Sequence, residues 1–160
     1  MRCSRASPGV CNHAAVRKVN LLSTGFDESS ERDGYRWRAA FLGQAVGSEQ
    51  IGACLYELEA GQRAWPFHFH HAEEEWVVVV AGTPSLRGPD GERALREGDV
   101  VCFPAGPAGA HQVIGPGTVL MLAANAPFDT IEYPDSGKIM VCPSGQVFRA
   151  ADAVGYWDGE

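Results

Sequence analysis

From Tyr35 onward, apolar and polar positions alternate over short stretches, and glycine or proline breaks the pattern about every eight to twelve residues. This pattern predicts strands at Tyr35–Ala45, Ile51–Glu59, Phe67–His71, Glu75–Ala81, Ser85–Gly88, Glu92–Leu95, Asp99–Phe103, His111–Ile114, Thr118–Ala124 and Thr130–Tyr133. No segment of comparable length carries the 3.6-residue period of an amphipathic helix. Gly88-Pro89-Asp90-Gly91, set between two short runs, is a hairpin turn. Many short antiparallel strands describe an all-β sandwich or barrel. Its core is expected over about residues 35–124, within one domain spanning 16–160. Residues 125–160 retain aromatics and the apolar run Ile139–Cys142, so they are expected to be a structured extension packed outside the barrel, with the "YWDGE" end against it. Residues 1–15 have little apolar periodicity and are read as a flexible, dispensable tail. Trp76 alternates with the inward set of its strand, so it faces outward and needs a cover from an extension or a second subunit.

Charge narrows the partners. Thirteen Lys and Arg against twenty Asp and Glu leave the 160-residue chain at −7, with no basic cluster suited to nucleic acid. The longest apolar runs, Trp76–Ala81 and Val119–Ala124, fall far short of the roughly 20 residues that cross a bilayer. No apolar stretch of secretory length follows the basic N-terminus, so a cytoplasmic protein is expected. Five cysteines are scattered without a Cys-x-x-Cys pair. Cys54, Cys102 and Cys142 sit in apolar runs and read as buried thiols; Cys3 and Cys11, with His13, belong to the tail.

The candidate chemistry lies in "WPFHFHHAEEEWVVVVAG". Side chains two apart on a strand share a face, so His68 and His70 stand about 6.6 Å apart on one side, close enough to converge on one ion. If 71–74 form a polar turn, Glu75 opens the next strand and its carboxylate returns toward the imidazoles. His71 points the other way and takes a structural or rim role, and Glu73 and Glu74 are alternative carboxylate ligands in the turn. A fourth donor, His111, starts the strand that follows the turn "PAGPAGA". Three nitrogens and one oxygen suit a divalent ion such as Zn, Fe, Mn, Ni or Cu, with positions left open for water or substrate.

These residues resemble the two signature motifs of the cupin superfamily. The first runs Gly61, His68, His70, Glu75, Gly82 and the second Gly98, Pro104, Gly106, His111. One residue more than usual separates Gly61 from His68, two more ("PAGA") separate Gly106 from His111, and Gly115 stands where an Asn is usual. The stretches "WPFHFHHAEEE", "FPAGPAGAHQ", "YPDSGK" and "YWDGE" look like those of small bacterial cupins without an assigned activity. The resemblance implies a double-stranded β-helix, or jelly-roll barrel, and a divalent metal (Zn, Fe, Mn or Ni) on His68, His70, Glu75 and His111. It also implies a homodimer. A metal-dependent enzyme of dioxygenase, isomerase or decarboxylase type, acting on a sugar derivative or carboxylate, is the preferred expectation. The alternative is a sensor or carbohydrate-binding module that uses the ion only as an anchor. Tyr56, Glu57, Arg63, Gln112 and Lys138 are candidate substrate-contacting groups.

Overall fold

The computed structural model describes residues 16–160. Residues 1–15, with Cys3, Cys11, His13 and the expected tail, lie outside the described residues. In chain order the elements are β1 (Glu28–Arg32), β2 (Tyr35–Ala40), α1 (Leu42–Val46), β3 (Ile51–Leu58), β4 (Phe69–His70), β5 (Glu75–Gly82), β6 (Ser85–Gly88) and β7 (Gly91–Ala94). They continue with β8 (Val100–Phe103), β9 (Gln112–Ile114), β10 (Gly117–Ala124), β11 (Asp129–Tyr133), β12 (Lys138–Cys142) and β13 (Gln146–Arg149). Three sheets result, ordered β1-β2-β3-β10-β5-β8, β13-β12-β11-β4 and β7-β6-β9. Every pairing between these strands is antiparallel. Pro89 and Asp90 turn the β6–β7 hairpin, as the sequence predicts.

Strand parity sets the core. On β5, Glu75, Val77 and Val79 face inward and Trp76 outward. Val77 pairs with Met121 and Val79 with Val119, all four buried. Each contributes about 1.5–3 kcal/mol on leaving water. Tyr56, Leu58, Leu86 and Val113 complete this cluster. Glu75 therefore stands at the end of an apolar column, where an uncompensated charge is costly.

Several expectations are corrected. The strand from Tyr35 ends at Ala40, because Leu42 turns back to bury against Leu55 and starts α1, which Gly47 closes in a left-handed conformation. Gly43 lets α1 lie close on β3: a Cβ there would sit 3.0 Å from the Ala53 nitrogen. Cys102 is exposed, since Val101 and Phe103 take the inward positions of β8; Cys54 and Cys142 are buried. Tyr156 and Trp157 in the "YWDGE" end are exposed instead of packed. The C-terminal strands form a sheet with β4, so they belong to the site's own scaffold. Among the described residues nothing covers Trp76, which is 42% exposed beside exposed Val100 and Cys102.

Candidate metal centre

Three loops and strand ends bring the donors together. His68 and His70 flank the start of β4, Glu75 opens β5, and His111 precedes β9. An antiparallel bridge joins His68 to His111, the His111 N–H donating to the His68 carbonyl at 2.8 Å. All three Nε2 atoms approach one oxygen, Glu75 Oε2: His111 at 3.2 Å, His70 at 3.4 Å and His68 at 3.7 Å. His68, His70 and Glu75 offer donor atoms within 4.8 Å of one another. The four side chains are at most 5% exposed.

The outer nitrogens fix which way each imidazole faces. His68 Nδ1 donates to the Pro66 carbonyl at 3.0 Å and His111 Nδ1 to the Gly109 carbonyl at 2.9 Å. His70 Nδ1 donates to Asp129 Oδ2 at 2.6 Å. Carbonyls and carboxylates only accept, so each Nδ1 carries the proton and each Nε2 turns a lone pair toward the carboxylate. Among the described residues, the buried side-chain polar atoms without a hydrogen-bond partner are His70 Nε2, His111 Nε2, both Glu75 oxygens and Trp65 Nε1. Three of these five orphans, His70 Nε2, His111 Nε2 and Glu75 Oε2, face one another. Lone pairs opposed at this range are repulsive, and a cation between them satisfies them together. The donor set fits a borderline divalent metal.

The electrostatics keep the donors in their binding forms. Burial pushes the His68 imidazole from 6.5 down to about 3, aided by His111 and His70 and opposed by Glu75. Burial also disfavours the Glu75 carboxylate, but the His111 contact and the charges on His70, His111 and His68 outweigh it, lowering it from 4.5 to about 2. Both groups bind protons more weakly in the folded chain than in the unfolded one. Their contribution to stability is complete above pH 6.5; acidification removes His68's share between 6.5 and about 3, and Glu75's between 4.5 and about 2. Thermal melts of the metal-free protein should therefore show the midpoint falling steadily from pH 7 to pH 4. A flat profile would contradict this placement of the two groups.

Residues 54–125 match the cupin domain. That stretch of the chain is a cupin domain. Its sheets form the jelly-roll of that fold, as the solved structure of a cupin-like protein from Thermotoga maritima illustrates at 18% identity (TM-score 0.53, covering 69% of this chain and 86% of that one). A sugar phosphate isomerase of the cupin superfamily from Silicibacter pomeroyi is 28% identical, with TM-score 0.74 over 88% of this chain and 98% of that one. A protein from Acidithiobacillus ferrooxidans, named as a proposed sugar phosphate isomerase, is also 28% identical, with TM-score 0.70 over 87% and 86% of the two chains. No curated protein matches the chain.

Around the cupin site, the other sequence candidates disperse. His71 Nε2 pairs with Glu132 at 2.8 Å on the surface. Glu74 turns outward and accepts from the Trp76 indole at 2.7 Å. Glu73 lies behind His70, 3.6 Å from its Nδ1, and accepts from the Ala126 N–H. Tyr56 is a core residue whose hydroxyl burial pushes well above its ordinary range. Gln112 donates to the Trp65 carbonyl at 2.9 Å, Glu57 pairs with Arg38 on the outer face, and Arg63 bridges to Ile114 through its backbone. Rings wall the imidazoles: Phe103 stacks on His111 at 3.7 Å, Tyr133 on His68 at 6.0 Å, and Trp65 meets both His68 and His111 edge-on.

Asp129 is the functional residue missing from the sequence reading. Its Oδ2 orients His70 and its Oδ1 accepts the Ala72 N–H at 2.7 Å, tying the C-terminal sheet to the loop between the donors. Asp129→Ala should weaken metal binding about 10–100-fold and also lower the melting temperature, because the buried His70 Nδ1 and the part-buried Ala72 N–H lose their acceptor. Metal titration with a competing chelator would measure it; unchanged affinity would show that His70 is oriented without Asp129.

Proposed function

We propose that this cupin holds one divalent ion on His68, His70, Glu75 and His111 and isomerises a sugar phosphate. The observation that carries the metal reading is the convergence of three Nε2 atoms on Glu75 Oε2 with no other partner for the orphaned atoms. The likeness of 87% and 88% of the chain to two structures, one named a proposed sugar phosphate isomerase and the other a sugar phosphate isomerase, supports the substrate class. When bound, the ion supplies Lewis-acid polarisation of a substrate carbonyl or hydroxyl oxygen. The chain's own contribution is to hold that oxygen in place. Asp129, Pro66 and Gly109 fix the three imidazoles through their outer nitrogens, while Trp65, Phe103 and Tyr133 exclude water from the imidazole faces. The ion's identity is Zn, Fe, Mn or Ni within this donor set. Metal-loaded protein incubated with pentose and hexose phosphates should interconvert aldose and ketose forms by NMR. Tight binding without turnover would favour the sensor or carbohydrate-binding alternative.

Residues 16–160 act as one domain in this reading, in the cytoplasm and as a homodimer. No described helix is long and apolar enough to cross a membrane. The cross-strand row Ala53, Leu122, Trp76, Cys102 on the outer face of the large sheet supports dimerisation, since nothing in the described chain covers Trp76. Light scattering at micromolar concentration should give twice the chain mass, and Trp76→Glu should give the chain mass.

A further inference from the structure

We infer that Lys138 and Arg149 form the subsite for the substrate's phosphate, an assignment that rests on the sugar phosphate reading and deepens it. Tyr133 and Lys138 are directly opposed on β11 and β12, and Lys138 and Arg149 are directly opposed on β12 and β13, so the three share one face of the sheet. Tyr133 stacks on His68 with ring centroids 6.0 Å apart, and Lys138 Nζ stands 5.4 Å from the centre of the Tyr133 ring. The row therefore starts at a donor imidazole and ends in two cations. Lys138 lies two strand spacings, about 10 Å, from the β4 side of the site, a span suited to a sugar phosphate with its carbonyl end at the donors.

The charges on this row are unusual for the molecule. Like charges directly opposed across an antiparallel pair repel. The chain is acidic, at −7, and its other paired arginines meet carboxylates: Arg36 meets Asp33 and Glu59, Arg38 meets Glu57, and Arg87 holds both oxygens of Asp135. Neither Lys138 nor Arg149 has a carboxylate partner among the described residues. Both border a cavity of about 750 Å³ whose one acidic side chain is Asp152. A phosphate monoester offers the two cations a shared dianion, the Arg fork donating to two oxygens and the Lys to a third.

The test is calorimetric titration of the metal-loaded protein and its Lys138→Gln, Arg149→Gln and double variants with inorganic phosphate, ribose 5-phosphate and ribose. The wild type should bind phosphate and prefer ribose 5-phosphate to ribose. The double variant should bind both phosphates at least about tenfold more weakly, with ribose affinity, metal content and melting temperature unchanged. Phosphate affinity equal in wild type and double variant, or absent from the wild type, would overturn the subsite. Isomerase activity serves as a separate readout. Turnover indifferent to both substitutions overturns the subsite alone, whereas phosphate binding lost in the double variant with no turnover in the wild type leaves the subsite standing and overturns the isomerase reading.

Discussion

Glu75→Gln is expected to abolish metal binding and to leave the metal-free protein less stable than the wild type at neutral pH. The carboxylate is buried, neither oxygen has a hydrogen-bond partner, and three imidazole lone pairs face one of them. Without a cation the surrounding imidazoles still outweigh burial, so the folded chain favours the carboxylate over its acid. The amide keeps the shape and removes the charge, so the metal-free variant loses that share of stability. Residues that merely orient ligands are worth about 10–100-fold in affinity, so losing an anionic ligand should exceed that range. Two melting curves per protein, with and without chelator, measure both effects. The wild type should lose stability on chelation and the variant should not respond. A variant whose melting temperature still falls on chelation would show that the metal does not need Glu75.

Gly109→Ala should carry the largest stability penalty of any single methyl in the loop beside the site. A Cβ at Gly109 would lie 1.9 Å from the Pro104 carbonyl oxygen and 2.9 Å from its carbon, both backbone atoms. Relief requires the turn Pro107–Gly109 to move, and the Gly109 carbonyl that accepts from His111 Nδ1 moves with it. Overpacking of this kind costs about 3 kcal/mol or more, roughly a 10 °C fall in melting temperature for a domain of this size. Metal affinity should fall as well, because His111 loses its orienting acceptor. Gly155→Ala, with open space around the added methyl, is the control and should stay within about 0.5 kcal/mol of wild type. Equal melting curves for the two variants would mean that the loop yields freely.

The "PAGA" insertion thereby acquires a role that spacing alone could not show. It forms the short turn that places Gly109 under Pro104 and its carbonyl on His111. Parity made the donors legible: His68 and His70 share a face, and Glu75 returns after a polar turn with Val77 and Val79 behind it. The same parity carried a signal for Asp129, which shares an edge and a face with Ile131 and Tyr133. That signal needed the partner of β11, and β4 lies 59 residues away along the chain at the His70–Asp129 contact. Glu28–Arg32 was unreadable for a different reason: an exposed edge strand of sequence ESSER has no apolar face to reveal its period. The helix at Leu42 was hidden because one turn is too short to establish a helical repeat. Cys102 was misplaced by composition, where alternation with Val101 and Phe103 puts it outside.

The central claim is that His68, His70, Glu75 and His111 share one ion. Elemental analysis of tag-free protein reconstituted with a divalent metal and desalted tests it most directly, with His70→Ala and His71→Ala as the paired variants. One ion per chain should remain in wild type and in His71→Ala, whose ring pairs with Glu132 on the surface, and almost none in His70→Ala. A wild type without stoichiometric metal, or metal retained by His70→Ala and lost by His71→Ala, would contradict the account.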